Sequence, residues 1–451
     1  MSNYLNPNLF EKYDIPMPRY TSYPAVPNWA NNVTTATWIS DLTQALDKKD
    51  TSLSLYIHLP FCESLCTFCA CNNVITKDHT KESRYVDAVL KEWSFYLKSL
   101  PELKNKYVRQ VHLGGGSPTF FHSENLRRLL ENIFKDLKID PQQFEGSVEV
   151  DPRRCEEEQL VVLREFGFNR VSLGVQDFDE RVQKYVNRIQ PFEMVENCTN
   201  MARNLGYKSI NFDLIYGLPG QTEESMKITA EKVMLLKPDR IALYSLAIVP
   251  WLRPAHGKFE RLEMKKGFNK RKLFETAKAE FMKKQYIELG IDHFAAPDDA
   301  IAKSFKNGTL HRNFMGYAEY STDVLLGLGT SAISETESSF HQNRKNLEQY
   351  YQYVEMFNSI PTQHGHILTA EDQAVKKHIL NLMTNFRTPI DAHISKSNFD
   401  EMRLEGLLNI DDKELQITEL GVPFARHICN KIDKYVKSEI ENQPKRFSSG
   451  V

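Results

Sequence analysis

The chain has 451 residues, 41% of them hydrophobic, and its 57 basic and 59 acidic side chains give a formal net charge of −2. That length fits two or three units with sizeable cores, and the balanced charge excludes a general bias toward nucleic acid or anionic membrane. No apolar run approaches a membrane span, the start Met1-Ser2-Asn3-Tyr4 lacks a leader pattern, and seven cysteines, four of them within ten residues, fit a reducing cytoplasm better than a disulfide framework.

The first segment, residues 1–35, is rich in Pro, Asn and aromatics and contains Pro18-Arg19-Tyr20-Thr21-Ser22-Tyr23-Pro24. Its prolines favour extended backbone. An aromatic, cationic arm can stack on a flat anionic ligand, but composition favours a strap packed on the body. Ser52–Leu59 reads as a strand, and it runs into Cys62-Glu63-Ser64-Leu65-Cys66-Thr67-Phe68-Cys69-Ala70-Cys71. Cys62, Cys66 and Cys69 stand at C-x₃-C-x₂-C, with Cys71 two residues on. Thiolates at that density converge on one inorganic centre, as in iron–sulfur clusters. Zinc more usually takes two separated pairs. Three thiolates leave one iron of a [4Fe-4S] cluster open to an outside ligand.

A helical pattern follows on Tyr85, Val86, Val89, Leu90, Trp93, Tyr96 and Leu97. Strand-like runs then recur at 108–113, 147–150, 170–175, 209–216 and 240–247, with helical patterns around 126–137, 157–166, 194–205 and 223–236. Alternation of this kind predicts an α/β fold with a parallel sheet, a partial (β/α)6 barrel over residues 36–339. Active sites of parallel barrels gather at the C-terminal strand ends. There the sequence places Gly114-Gly115-Gly116-Ser117, Glu149 and Asp151, Gln176 and Asp177, and Asp213. Carboxylates in apolar strands are costly unless paired or bound to a ligand. Asp151 and Asp177 read equally well as helix N-caps, Glu149 and Asp213 less so. The glycines allow close backbone approach to a ligand. The segments Asp292-His293-Phe294-Ala295 and Leu310-His311-Arg312-Asn313-Phe314 carry polar residues among aromatics and read as pocket lining or loops, and Gly327–Ser334 is rich in small residues.

Residues 340–451 turn mainly helical, with clearer helices over 346–357 and 371–386. The stretch from Gly406 through an acidic turn to Gly421 resembles a small winged-helix module. Asp411, Asp412, Glu414 and Glu419 give its wing the wrong sign for a phosphate-binding face, so a lid or packing role is expected. Lys445 and Arg446 read as part of a solvated basic tail. Cys155, Cys198 and Cys429 are isolated and expected to pack.

The cysteine spacing is similar to that of radical S-adenosylmethionine (SAM) enzymes. Taken with PRYTSYP, YIHLPFC, GGGSPT, EVDPR, GVQDF, DLIYGLPGQT, DHFA, LHRNF and GLGTSAIS, nearly the whole chain resembles the oxygen-independent coproporphyrinogen III oxidases (dehydrogenases). The resemblance implies a radical SAM barrel with an N-terminal arm, acting on coproporphyrinogen III in haem biosynthesis. SAM chelates the open iron of the cluster, and an electron cleaves it to methionine and a 5′-deoxyadenosyl radical. That radical takes hydrogen from the propionate β-carbon, and loss of CO₂ and an electron gives a vinyl group, twice over, to protoporphyrinogen IX. The resemblance assigns the cluster to Cys62, Cys66 and Cys69, and a first SAM to Tyr56, Gly115, Glu149 and Ile333. It assigns a second SAM to Phe68, Gly116, Ser117, Gln176, Arg188, Asp213 and Ala247, and catalytic roles to Cys71 and Tyr56, with Cys71 not a ligand. Arg188 rests on the resemblance alone, and Arg19 and Tyr20 become substrate-sensing residues. It also implies a cytoplasmic monomer with a separate electron donor and neither nucleic acid nor membrane as partner. Ala70 and Ser117 stand where the family usually has glycine and threonine, departures that keep the backbone and the hydroxyl usable. A haem chaperone of the same superfamily is the alternative. Such relatives typically lack the fourth cysteine and the PRYTSYP arm, as a haem-opening methyltransferase relative should differ in the arm.

Overall fold

The computed structural model describes residues 6–139, 143–437 and 447–448. All six expected strands are present: β1 (Ser52–Leu59), β2 (Tyr107–Gly115), β3 (Glu145–Val150), β4 (Phe168–Gln176), β5 (Ser209–Tyr216) and β6 (Arg240–Ser245). They run parallel in the order β6-β5-β4-β3-β2-β1. Helices Lys81–Ser99, Ser123–Phe134, Glu157–Glu165, Phe192–Asn204 and Glu223–Leu236 fill the crossovers that parallel neighbours need. A seventh parallel strand, β7 (Val324–Leu328), pairs with the other edge of β1. The sheet then continues antiparallel through Ile333–Glu335, Ser339–Asn343 and Thr362–Ile367, and at the far edge through His293–Ala295 and Ile287–Leu289. It has two ends, so the barrel is open. The expected division at residue 340 falls inside Ser339–Asn343, and another strand of the main sheet lies beyond it.

Side-chain alternation turns this sheet into a site. Successive residues of a strand point to opposite faces. Val111 and Leu113, Val148 and Val150, Val171 and Leu173, Phe212 and Leu214, and Ile241 and Leu243 are buried in the main core. Residues that alternate with them, His112, Glu149, Ser172, Asp213 and Tyr244, line one central cavity. One set of strands therefore serves both core and active site.

Glu92 shows how the barrel wall is tied together. It is fully buried on the helix Lys81–Ser99 and accepts hydrogen bonds from Gly329 N at 2.8 Å, Tyr350 Oη at 2.7 Å and Asn343 Nδ2 at 2.6 Å. Burial outweighs these bonds and pushes its carboxyl up to about 7. An acid whose pKa rises on folding contributes its full stability below its ordinary value of 4.5, and loses it as the pH climbs through 7. Glu92→Gln is therefore expected to gain stability relative to the parent over that interval, read from urea midpoints. A pH-independent difference would contradict this.

The C-terminal region packs the helix Ala370–Asn385 against a three-stranded antiparallel sheet of Arg387–Pro389, Glu414–Ile417 and Leu408–Ile410. In the turn between its last two strands in sequence, Asp411 Oδ1 accepts from Lys413 N and Glu414 N at 2.7 and 2.8 Å. Lys445 and Arg446 lie outside the described residues. The arm is a strap. Phe10 packs on Phe424 with ring centroids 4.9 Å apart, Tyr20 Oη donates to Asp433 at 3.1 Å, and Trp29 stacks on Phe340 at 5.2 Å. It thus contacts both the C-terminal module and the main sheet. Cys198 and Cys429 are buried, as expected of packing cysteines.

Candidate active site

β1 delivers the chain into the cysteine loop. Phe61–Cys62 pairs in parallel with Val74–Ile75 and closes that loop. Outside it, Thr67 N donates to Val186 O at 3.0 Å and Asn187 Nδ2 to Leu65 O at 2.8 Å. Donors converge on the sulfurs. Arg153 Nη2 and Arg188 Nη1 each lie 3.4 Å from Cys66 Sγ, and Asn73 Nδ2 lies 3.5 Å from Cys69 Sγ. Burial pushes the Cys62 thiol up to about 12, whereas a hydrogen bond from Cys71 draws Cys69 down to about 7. Three soft sulfurs on one loop, with guanidinium groups to offset thiolate charge, form a donor set that fits an iron–sulfur cluster.

The glycine run lies directly beneath. Gly116 N donates to Leu59 O at 2.8 Å and Ser117 N to Phe61 O at 3.0 Å. A Cβ on Gly116 would sit 2.3 Å from Pro60 O, and Gly115 has φ +121°, with the His58 ring 2.8 Å from where its Cβ would be. Only glycine fits either place. Gly115 N donates to Glu149 Oε2 at 3.0 Å, so one of the run's N–H groups holds the protein's own carboxylate.

Two carboxylates face the cavity with different electrostatics. Burial would raise Glu149, but the hydrogen bond and charge of His112, with Gly115 N, hold it below its ordinary value. Asp213 accepts from Ser172 Oγ at 2.8 Å and Asn211 Nδ2 at 3.0 Å, yet burial first, and Glu149 as a like charge, push it up to about 6. Gln176, at the end of β4, has φ +67° beside a register shift against β5. Strained backbone of this kind concentrates at functional sites. Arg188 donates to Gly174 O at 2.7 Å and pairs with Asp151 Oδ1 at 3.2 Å, joining β4, the segment after β3 and the cysteine loop.

A cavity of about 350 Å³ gathers Cys62, Cys66, Cys69, Cys71, Phe68, Gly115, Gly116, Ser117, Glu149, Gln176, Arg188 and Asp213 into one wall. Tyr56, Ile333 and Ala247 sit elsewhere. Tyr56 is buried behind His112, stacked at 5.8 Å, with its hydroxyl 2.9 Å from His58 Nδ1. Ile333 packs with Trp29 and Phe340, and Ala247 lies just beyond β6, outside the cavity lining. Asp151 is a cap that accepts from Arg153 N at 3.1 Å. Asp177 is a buried staple, accepting from Gln221 Nε2 at 2.6 Å and Thr229 Oγ1 at 2.9 Å. His112, Tyr244, His293 and Tyr317 also line the cavity. His112 and Tyr244 lie on the alternating polar face of strands already recognised, where the alternation alone would have found them. His293, in the Asp292-His293 pair, is held by Asp292 Oδ1 at 2.7 Å.

Residues 56–233 match the radical SAM superfamily. The oxygen-independent coproporphyrinogen III oxidase of Escherichia coli is 36% identical over 449 residues, 96% of each chain. That of Helicobacter pylori is also 36% identical, over 95% of this chain and 96% of its own. Among solved structures, the E. coli coproporphyrinogen III oxidase HemN, described as a radical SAM enzyme, superposes with a TM-score of 0.86 at 35% identity, over 92% of this chain and 97% of that one. The matched length takes in the arm and the C-terminal module as well as the barrel.

Proposed function

Because the chain belongs to the oxygen-independent coproporphyrinogen III oxidase family of radical SAM enzymes, we propose that its central cavity oxidatively decarboxylates coproporphyrinogen III. Two propionate side chains lose CO₂ and become vinyl groups, giving protoporphyrinogen IX. What carries this reading is the convergence of the cysteine loop, the glycine cradle and the Glu149–Asp213 carboxylates on one cavity, in a chain that matches oxidases of that name almost end to end.

Cys62, Cys66 and Cys69 would hold a [4Fe-4S] cluster, and the chemistry it would supply when bound is an electron for reductive cleavage of SAM. Arg153 and Arg188 balance thiolate charge at Cys66. Gly115 and Gly116 let the methionine end of SAM approach the backbone, and Glu149, held by Gly115 N and His112, accepts from its donors. Tyr56 and Ile333 act from behind this wall, Tyr56 by fixing the His112 and His58 rings. Phe68, Gly116, Ser117, Gln176, Arg188 and Asp213, which line the cavity, would hold a second SAM, with Ala247 just outside that lining. Cys71, hydrogen-bonded to Cys69, is reserved for the substrate's chemistry. We place the reaction in the cytoplasm, on a monomer fed by a separate electron donor. Among the described residues no helix is long and apolar enough to cross a membrane.

Asp213→Ala removes a charged acceptor from the cavity, and SAM cleavage is expected to slow about tenfold to a hundredfold with iron content unchanged. Unchanged turnover would remove Asp213 from the site. The reading as a whole is tested by expressing the chain in a bacterium lacking its own coproporphyrinogen oxidases. Anaerobic growth without added haem supports it; accumulation of coproporphyrin without growth contradicts it.

A further inference from the structure

Behind the cavity wall of Tyr244, His293 and Tyr317 lies a cluster of cations that the reaction as described does not use. Arg19, from the arm, donates through Nη2 to Ser245 O at 2.8 Å, with its guanidinium carbon 6.0 Å from the Tyr244 ring centroid. Lys270, on the helix Gly267–Lys283, is 7% exposed and donates to Leu246 O at 3.1 Å. Arg312 is 9% exposed and lies 4.5 Å from the Tyr317 ring centroid. Its Nη2 reaches the Arg19 carbonyl at a long 3.4 Å, the Tyr317 hydroxyl is close enough to raise its proton affinity, and its Nε and Nη1 are buried outside good hydrogen-bond geometry. Arg426, 8% exposed, adds a fourth cation.

These groups come from the arm, the barrel and the C-terminal module, and they meet where β6 ends. Like charge adds to burial at two of them, whereas at Arg312 burial is outweighed by Tyr317, Asp292 and Tyr244 and the proton affinity rises. Burial lowers Lys270 to about 8, with Arg426 and Arg19 adding to the fall, and burial lowers Arg426 to about 10, with Arg19 and Arg312 contributing. Asp292 is the carboxylate felt by Arg19, Arg312 and Arg426, and it is already bound to His293. Buried guanidinium donors left unmatched are costly, and a bound anion relieves that cost. Nε–H and Nη1–H point to different sides of the guanidinium, and each can give a carboxylate oxygen one charge-assisted hydrogen bond.

We propose that Arg312, with Lys270 and Arg19, forms an anion clamp for substrate carboxylates, the propionates that are held rather than the ones that lose CO₂. This rests on the coproporphyrinogen reading and deepens it. A tetracarboxylate ring is held by cations at one end, which leaves another propionate to face the SAM-binding wall. The clamp makes carboxylate recognition a property of the arm as well as of the barrel.

The test is a fluorescence titration of the iron-loaded protein with coproporphyrin III, an air-stable tetracarboxylate, and with its tetramethyl ester. The parent is expected to prefer the acid. Arg312→Gln and Lys270→Met are each expected to weaken acid binding about tenfold to a hundredfold and ester binding little, and their iron content and far-ultraviolet spectra report whether each is folded. Acid affinity unchanged in whichever variant folds, or a parent that binds ester as tightly as acid, overturns the clamp while leaving the proposed reaction standing. A parent that binds neither porphyrin overturns the substrate reading and the clamp together.

Discussion

Replacing Cys66 by serine is expected to abolish cluster assembly, SAM cleavage and porphyrinogen turnover together, a fall of at least about a thousandfold, or more than about 4 kcal/mol of transition-state stabilisation. The reason is local. Cys66 is buried, and its sulfur is the point at which the Arg153 and Arg188 guanidinium groups converge, at 3.4 Å each. A serine hydroxyl there is neither a soft ligand nor an anion at neutral pH, so the two guanidinium groups lose the sulfur and keep Asp151 as their charged partner. Anaerobic iron analysis and the visible absorbance of the reconstituted protein read the loss directly. Cys71→Ser is the contrast. Its sulfur hydrogen-bonds Cys69, and the expectation is an intact cluster spectrum with impaired decarboxylation. Iron loss in Cys71→Ser, or iron retention in Cys66→Ser, would reverse the assignment of ligands.

The second large effect is expected at a residue that touches no iron. In Gly116→Ala the new Cβ meets Pro60 O at 2.3 Å and Pro60 C at 2.5 Å. Both are backbone atoms two residues before Cys62, so relief must come from moving the strand that enters the cysteine loop, not from turning a side chain. The bonds from Gly116 N to Leu59 O and from Ser117 N to Phe61 O then cannot both persist. Overpacking of this kind costs about 1–3 kcal/mol of stability, and a displacement of about 1 Å at reacting groups costs on the order of a hundredfold in rate. Turnover should therefore fall about a hundredfold while the chain still folds. Gly206→Ala is the control. Unlike Gly116 it has positive φ, +80°, but nothing lies within 4 Å of its would-be Cβ, so only modest backbone strain is expected. Equal loss of turnover in the two variants would mean that the clash at Pro60 is not what matters.

The parts of this molecule legible in its sequence are those governed by local pattern. The six strands β1–β6 show because Val, Ile, Leu and Phe alternate with polar residues, and the cysteine loop shows because its chemistry is written within ten residues. β7 is a short run, all of it buried, and it ends in the small-residue segment that hid it. Ser339–Asn343 is harder still. Every residue of Ser-Phe-His-Gln-Asn is buried, yet only one of them is apolar; the polar ones bond distant partners such as Asp41 on Ser339, Thr362 on His341 and Glu92 on Asn343. No window of sequence contains that pairing. The same holds for the wall of Tyr244, His293 and Tyr317 and for the cations behind it, whose members are brought together only by the barrel closing against the arm and C-terminal module. Tyr56 and Ile333, assigned to SAM by resemblance, lie outside the cavity lining, a placement that a motif does not carry.

The most direct measurement is an anaerobic assay of the iron-reconstituted protein with SAM, a reductant and coproporphyrinogen III, read by porphyrin chromatography together with CO₂ release. The account predicts protoporphyrin after oxidation of the products, with two CO₂ per porphyrin and 5′-deoxyadenosine formed alongside. Reductive cleavage of SAM with coproporphyrin recovered unchanged would contradict it, as would tight haem binding with no decarboxylated product.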